Sequence, residues 1–358
     1  MKNSGLNILL LRFGSPCQLD GVNKFLYVLY EALRKLNNNA IIIGGYKGTC
    51  DLEIVKQFFD IDIVPHIEFL TEHSTNRLKL LYNWAKKGSR LIKEFEPDIV
   101  IANGVIPIPT IGFRILMIHD VPERFHQILL SKLIIKRYHL YAFNSTVTRD
   151  EFLRKFDVKP AKAIIVPLPI YISKYVQRPL SEREHALLFI DGRGRRNLHF
   201  ALKVFKLIAR LDNDVIMYVV GAKNLPSAEY PKDRAICLGM VDVKTLRSLY
   251  SRTKLLIIPS SYEGFGYPVL EAFASGTPVV GSHKIPRELL IDSFNGFRVS
   301  SFDYKLYADA CLRLLKDEEN WLKLSNGALR TAKEHDAEAV ALRFIGLYER
   351  LADAPRDT

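Results

Sequence analysis

The sequence predicts two α/β halves, each a parallel sheet with helices on both faces. Two observations carry this. Short aliphatic runs bounded by turn residues alternate with amphipathic stretches of helical period almost throughout. The chain is also too long, at 358 residues, for one ordinary core. In the first half "NILLLRF" is a strand, "GVNKFLYVLYEALRKL" a helix and "AIIIGGY" the next strand, followed by "DIVIANG", "ILMIHD", "LYAFNS" and "AIIVPLP". The alternation pauses from Pro167 to His185, which holds three prolines and little periodicity and reads as a linker. It resumes with "ALLFIDG", a helix from about Asn197 to Ala209, "VIMYVVG", "AICLG", a helix around Asp242 to Tyr250, "KLLIIPSS", a helix from Pro268 and "TPVVGS". From about Asp303 the chain is helical to near its end. The expected domains are 1–175 and 183–335, with a last helix over 336–358 packing back towards the first. Ligands of such sheets bind at the carboxyl ends of strands, and two facing halves would place that site in the cleft between them.

Composition narrows the class. Hydrophobic content of 48% argues against disorder. The net charge of +12 favours anionic partners such as phosphorylated ligands, acidic lipid or nucleic acid. A nucleic-acid reading rests on charge alone, since no reading module or aromatic-basic repeat is present. Cys17, Cys50, Cys237 and Cys311 are far apart with no C-x-x-C pair, so neither a disulfide framework nor a zinc cluster is expected and a reducing, cytoplasmic setting fits. The opening segment reads as a strand rather than a secretion signal. No uncharged apolar stretch reaches the roughly 18 to 20 residues that span a bilayer, so any membrane work would be peripheral.

The stretch "IIPSSYEGFGYPVLEAFASGTPVV" holds the most chemistry. A strand ends, a loop carries Glu263, Gly264 and Gly266, and a helix starts with Pro268 suited to its first position. The glycines let backbone approach a ligand, and the helix tip offers N–H groups and about half a positive charge to phosphate. Glu271, one turn inside, would repel a diphosphate at that tip and so should point elsewhere, for example to ribose hydroxyls. The plainer alternative leaves Glu271 complementing the helix dipole and Glu263 solvated. "STNRLKLLYNWAKKGSRLIKEFEPD", at 74–98, is a basic helix with Leu80, Leu81, Trp84, Leu91 and Ile92 as apolar members. With 129–139 it is open to two readings: contact with an anionic membrane surface, or an ordinary amphipathic helix with solvated lysines. Asp60-Ile61-Asp62 is a D-x-D amid aliphatics, a weak metal signal.

Residues Pro259-Ser260, Glu263-Gly264-Phe265-Gly266, Pro268, Glu271-Ala272, Gly276-Thr277-Pro278-Val279-Val280 and Asn295-Gly296 together resemble the E-x7-E region of retaining glycosyltransferases of the GT-B fold, in particular family four. The resemblance implies a GT-B fold of two Rossmann-like domains. It implies that Glu271 binds the ribose, that Glu263 contacts the transferred hexose, and that the backbone of Gly264, Phe265, Gly266 and Tyr267 lies along sugar and phosphates. "LFIDGRGRRNLHFAL" is similar to the family's strand–loop–helix segment, with Arg193 and Arg196 on the donor diphosphate and Arg195 a rival for the second role. Arg196 stands where the family usually has lysine. "GSPCQLDGVNKFLYVLYEALRKL" resembles the glycine loop, with Gly21 near the phosphates and Asp20 replacing a frequent second glycine; "ILMIHDVPERF" brings His119 to the transferred sugar. The implied activity is metal-independent, retaining hexosyl transfer from a UDP-, GDP- or ADP-sugar to a sugar, lipid-linked or protein hydroxyl, with no cofactor. An epimerase or hydrolase of the same fold is the alternative chemistry.

Overall fold

The computed structural model describes residues 5–73, 76–121, 125–192, 196–226, 230–263 and 266–352. The chain divides into one compact unit made of residues 1–169 and 337–358 and another made of 170–336.

The first unit is built on β1 (Asn7–Arg12), β2 (Asn39–Gly44), β3 (Ile67–Phe69), β4 (Ile99–Asn103), β5 (Phe113–Ile118), β6 (Leu140–Phe143) and β7 (Ala163–Ile165). Its sheet has the order β3-β2-β1-β4-β5-β6-β7, with every pair parallel. The second unit uses β8 (Glu184–Ile190), β9 (Ile216–Val220), β10 (Ala235–Gly239), β11 (Thr253–Ile258), β12 (Val279–Ser282) and β13 (Gly296–Val299), in the order β10-β9-β8-β11-β12-β13, again all parallel. Both orders reverse direction beside their first strand, as in doubly wound sheets, and ligands bind at that switch point beyond the strand ends. In the first unit the switch lies between β1 and β4; in the second it lies between β8 and β11.

The connecting helices of the first unit are α1 (Gly21–Lys35), α2 (Leu52–Phe59), α3 (Arg77–Asn83), α4 (Ser89–Phe95), α5 (Phe125–Ile135) and α6 (Thr146–Lys155). Those of the second are α7 (Leu198–Leu211), α8 (Val243–Arg252), α9 (Tyr267–Ala274), α10 (Tyr304–Lys316) and α11 (Glu318–Glu334). The last helix, α12 (Ala337–Ala352), lies in the first unit, where Phe344 meets Phe25 of α1 edge to face at 6.4 Å. The strands read as unbroken aliphatic runs because both faces of each sheet are covered: Leu9 to Leu11 and Leu187 to Phe189 are fully buried.

One sequence expectation changes here. Cys17 and Cys50 form a disulfide across 33 positions. Parallel pairing of β1 with β2 sets the loops after those strands side by side, which spacing alone does not reveal, and the bond removes the argument for a reducing compartment. Of the apolar residues open to a lipid reading, Leu80, Trp84 and Ile92 are buried in the first unit's interior, whereas Leu133 of 129–139 is exposed. Between α3 and α4 a π-helical turn, Trp84–Gly88, carries the indole inward, where it donates to the carbonyl of Phe13. Of that segment, Leu78 and Tyr82 are the large apolar residues left exposed.

Candidate active site

The second unit gathers its expected residues at the ends of β8 and β11. Gly266 is the N-cap of α9 with φ of +70°, and a Cβ there would lie 2.4 Å from Leu289. Only glycine meets both demands. Tyr267 and Pro268 are the first two helical residues, so the proline sits one position later than expected. Glu263 closes the turn. Its carboxylate accepts from the Gly266 amide at 3.2 Å, from Ser260 Oγ at 3.1 Å and from Arg196 Nε at 3.3 Å. Glu263 is therefore not solvated; its side chain is 9% exposed and that of Arg196 16%.

Arg196 also donates to the carbonyl of Ile190, the last residue of β8. Its stem runs over Gly192, where a Cβ would lie 3.0 Å from it. Asn197, in the left-handed region at φ +53°, donates to the Pro259 carbonyl and ties the β8 loop to the end of β11. Arg196 and Glu263, 67 residues apart in sequence, thus meet at the switch point. Arg193, Gly264 and Phe265 lie outside the described residues.

Glu271 lies on the fifth residue of α9 and is 7% exposed. A carboxylate so buried needs partners. The Tyr250 hydroxyl from α8 donates to Oε2 at 2.7 Å, and Tyr175 hydrogen-bonds the same carboxylate. Burial and then the neighbouring Glu271 push the phenols of Tyr175, Tyr250 and Tyr267 well above their ordinary values, so all three remain donors. The sequence marks Glu271 but neither Tyr175 nor Tyr250.

In the first unit, Arg12 ends β1, Asn103 ends β4 and His119 follows β5. Asn103 Nδ2 donates to the Leu11 carbonyl, which turns Oδ1 towards His119 Nε2 at 2.8 Å. His119 Nε2 is therefore the donor and its neutral ring carries the lone pair on Nδ1. The Phe25 ring packs against it at 5.2 Å. Burial, and then the Arg12 charge, hold the imidazole well below its ordinary pKa. Gly21 is the first residue of α1, but Asp20 caps that helix, accepting from the Asn23 amide at 2.8 Å. Its carboxylate takes up the tip's partial positive charge and pairs with Arg12 at 3.3 Å. Asn23 is fully buried and binds Arg12, Ser15 and Gln18. No signal in the sequence marks Arg12, Asn23 or Asn103, because each binds a residue from another element or loop.

The neutral histidine has a consequence for stability. Unfolded, His119 takes up a proton near pH 6.5; folded, it does not until well below that. The unfolded state then binds more protons, so its contribution is complete above pH 6.5 and is lost as pH falls. Relative to His119→Asn, the wild-type chain is expected to lose stability between pH 7 and pH 5, by at most about 2 kcal/mol. Denaturant unfolding across that range checks this, and parallel curves for the two proteins refute it.

The D-x-D has local duties. Asp60 is the left-handed C-cap of α2 and Asp62 pairs with Lys35 at 3.3 Å. Among the described residues no group of three or more His, Cys, Asp or Glu is placed to hold a metal ion, and no helix is long and apolar enough to cross a membrane.

Residues 176–331 match the family model described as glycosyl transferases group 1. The O-antigen chain mannosyltransferase RfbU of Salmonella typhimurium is 28% identical over 238 residues, which cover 61% of this chain and 66% of that protein. An MMP alpha-(1->4)-mannosyltransferase of Mycolicibacterium hassiacum is 27% identical over 221 residues, covering 58% and 53%. The chain spans about two thirds or less of the length of these curated relatives. The crystal structure of HepE from Anabaena in complex with UDP-glucose superposes with a TM-score of 0.72 over 96% of this chain and 99% of that one, at 16% identity. TarM gives 0.74 over 95% and 98%, at 12% identity. At such identities the likeness is one of fold. Residues 176–331, which carry Arg196, Glu263 and Glu271, are similar to the glycosyl transferases group 1 family, and the fold is GT-B.

Proposed function

We propose that the protein is a retaining hexosyltransferase that moves a sugar from a nucleoside diphosphate to an acceptor hydroxyl. The observation that carries this is the pair of acids at the β11–α9 turn, one bonded to an arginine and one to tyrosines. Glu271 takes the ribose hydroxyls. Glu263 meets the transferred hexose, and Arg196 stabilises the charge that grows on the leaving diphosphate. The sugar C1–O bond to phosphate breaks, the C1–O bond to the acceptor forms on the same face, and the acceptor's proton passes to a phosphate oxygen. Neutral His119 hydrogen-bonds a sugar hydroxyl. The leaving-group charge is assigned to arginine, so the reaction runs without a metal or other cofactor.

The names of the relatives support a nucleotide sugar as donor and a glycan hydroxyl as acceptor: RfbU is a mannosyltransferase of an O-antigen chain, and HepE was solved with UDP-glucose. A thermal-shift panel of uridine, guanosine and adenosine diphosphate sugars tests the reading. One base class is expected to raise Tm, by an amount that grows with ligand concentration. Glu271→Ala is expected to weaken that donor roughly 100-fold, as two hydrogen bonds to a charged group are lost. No shift with any of the three, or an unchanged affinity in Glu271→Ala, overturns the site. Product analysis with and without acceptor separates transfer from hydrolysis or epimerisation.

A further inference from the structure

We infer that Tyr250 and Tyr175 are positioning residues that aim Glu271 at the nucleotide and so set how strictly the enzyme demands a ribose. This rests on the reading of Glu271 as the ribose-binding group. The two tyrosines reach it from separate parts of the second unit. Tyr250 is fully buried in the last turn of α8, and its main-chain oxygen accepts from Thr277 Oγ1 at 2.5 Å and from Arg183 at 3.3 Å. Its ring therefore has a fixed origin, and its hydroxyl lies 2.7 Å from Glu271 Oε2.

Tyr175 follows the single 3₁₀ turn Ile172–Lys174, in the proline-rich stretch that reads in sequence as a linker. It is 8% exposed. The Arg247 guanidinium lies over its ring at 4.9 Å and hydrogen-bonds its hydroxyl. A phenol accepts from a cation and donates to an anion at once, so Arg247, Tyr175 and Glu271 form one polarised chain. Arg247 comes from α8, as does Tyr250.

Two phenols donating to one carboxylate fix the direction of its oxygens. An ionised carboxylate accepts about four hydrogen bonds, enough to serve two phenols and a diol together. Each tyrosine acts through Glu271. A loosely held glutamate would also bind a ribose, but it would spend rotamer freedom to do so. Held as it is, it distinguishes a ribose from a sugar lacking one hydroxyl, because the deoxy ligand leaves an aimed acceptor unmet.

The test uses Tyr250→Phe, Tyr175→Phe and the double variant of the full chain. Binding of the nucleoside diphosphate chosen by the donor panel, and of its 2′-deoxy and 3′-deoxy counterparts, is measured by calorimetry. Wild type is expected to prefer the ribose form. Each phenylalanine variant is expected to bind it roughly tenfold more weakly, with the deoxy forms little changed, so the preference shrinks. Tm stays near wild type, and donor KM moves more than kcat. If Tyr250→Phe does not fold, Tyr175→Phe decides the matter. If wild type prefers the ribose form and the folded variants keep the full preference, the tyrosine assignment falls and the donor site stands. If wild type binds no nucleotide, or both kinds alike, the reading of Glu271 falls and this inference with it.

Discussion

Arg196→Ala is expected to lower kcat about 100- to 1,000-fold, with a smaller effect on donor KM. The guanidinium lies at the switch point of the second sheet, bonded to the end of β8 and to Glu263. A leaving nucleoside diphosphate gains charge only as the glycosidic bond breaks, so a cation fixed beside it acts mainly on the transition state. An exposed ion pair would contribute little to holding that cation. This pair is mostly buried, at 16% and 9% side-chain exposure, so water screens it weakly. The same burial makes the two residues a unit. Removing Arg196 alone leaves the Glu263 charge facing the departing phosphate, which adds repulsion to the loss of attraction. Arg196→Ala in a Glu263→Gln background should therefore cost less than it does in wild type. Initial rates at saturating donor for the four proteins of that cycle measure the coupling. A near-wild-type kcat for Arg196→Ala, or two single effects that simply multiply, would sink the assignment.

Much of this architecture is legible in the sequence itself. Aliphatic runs such as "NILLLRF" and "KLLIIPSS" are continuous because parallel strands are covered on both faces, and that pattern alone marks doubly wound halves. Glu263 and Glu271 stand out because a strand, a glycine loop and a helix start follow one another locally. What stays hidden is contact between distant segments. Tyr175 works from an irregular stretch, where periodicity has nothing to measure. Asn103 orients His119 across 16 positions, and Cys17 meets Cys50 through the adjacency of two strands. The helix at Arg77 shows the converse limit. Its apolar spacing says that one face is covered, and nothing in the pattern tells core from lipid; Leu80 and Trp84 belong to the core. Asp20 illustrates a third gap. A residue that replaces a glycine near a helix start reads as a departure from a family pattern, yet its side chain caps α1 and binds Arg12.

Arg183→Met is expected to destabilise the second unit by several kcal/mol, the largest loss of stability among the substitutions proposed. Arg183 is 7% exposed, and its guanidinium is met by helix ends. It donates to the Tyr250 carbonyl in the last turn of α8, to the Thr253 carbonyl just beyond, to the Ser275 carbonyl at the end of α9, and to Thr277 Oγ1. Two helix C-termini, each carrying about half a negative charge, converge on one cation. Trp321 covers its face at 4.9 Å. Burial has a cost, visible in the side chain's pKa, lowered to about 10 mainly by desolvation. That drop is worth about 3 kcal/mol against the charged form. Methionine would remove this penalty while roughly keeping the volume. It would also take this donor from the Thr253 and Ser275 carbonyls and from Thr277 Oγ1, at about 1–3 kcal/mol each. The second quantity exceeds the first, which fixes the sign. Urea unfolding of Arg183→Met should show a lower midpoint, and an unchanged midpoint would mean that water or a shift of Thr277 replaces the guanidinium. The effect should reach the donor site as well. The Tyr250 carbonyl that Arg183 holds belongs to the residue whose hydroxyl grips Glu271, so an Arg183→Met protein that still folds should bind donor more weakly than its loss of stability alone accounts for.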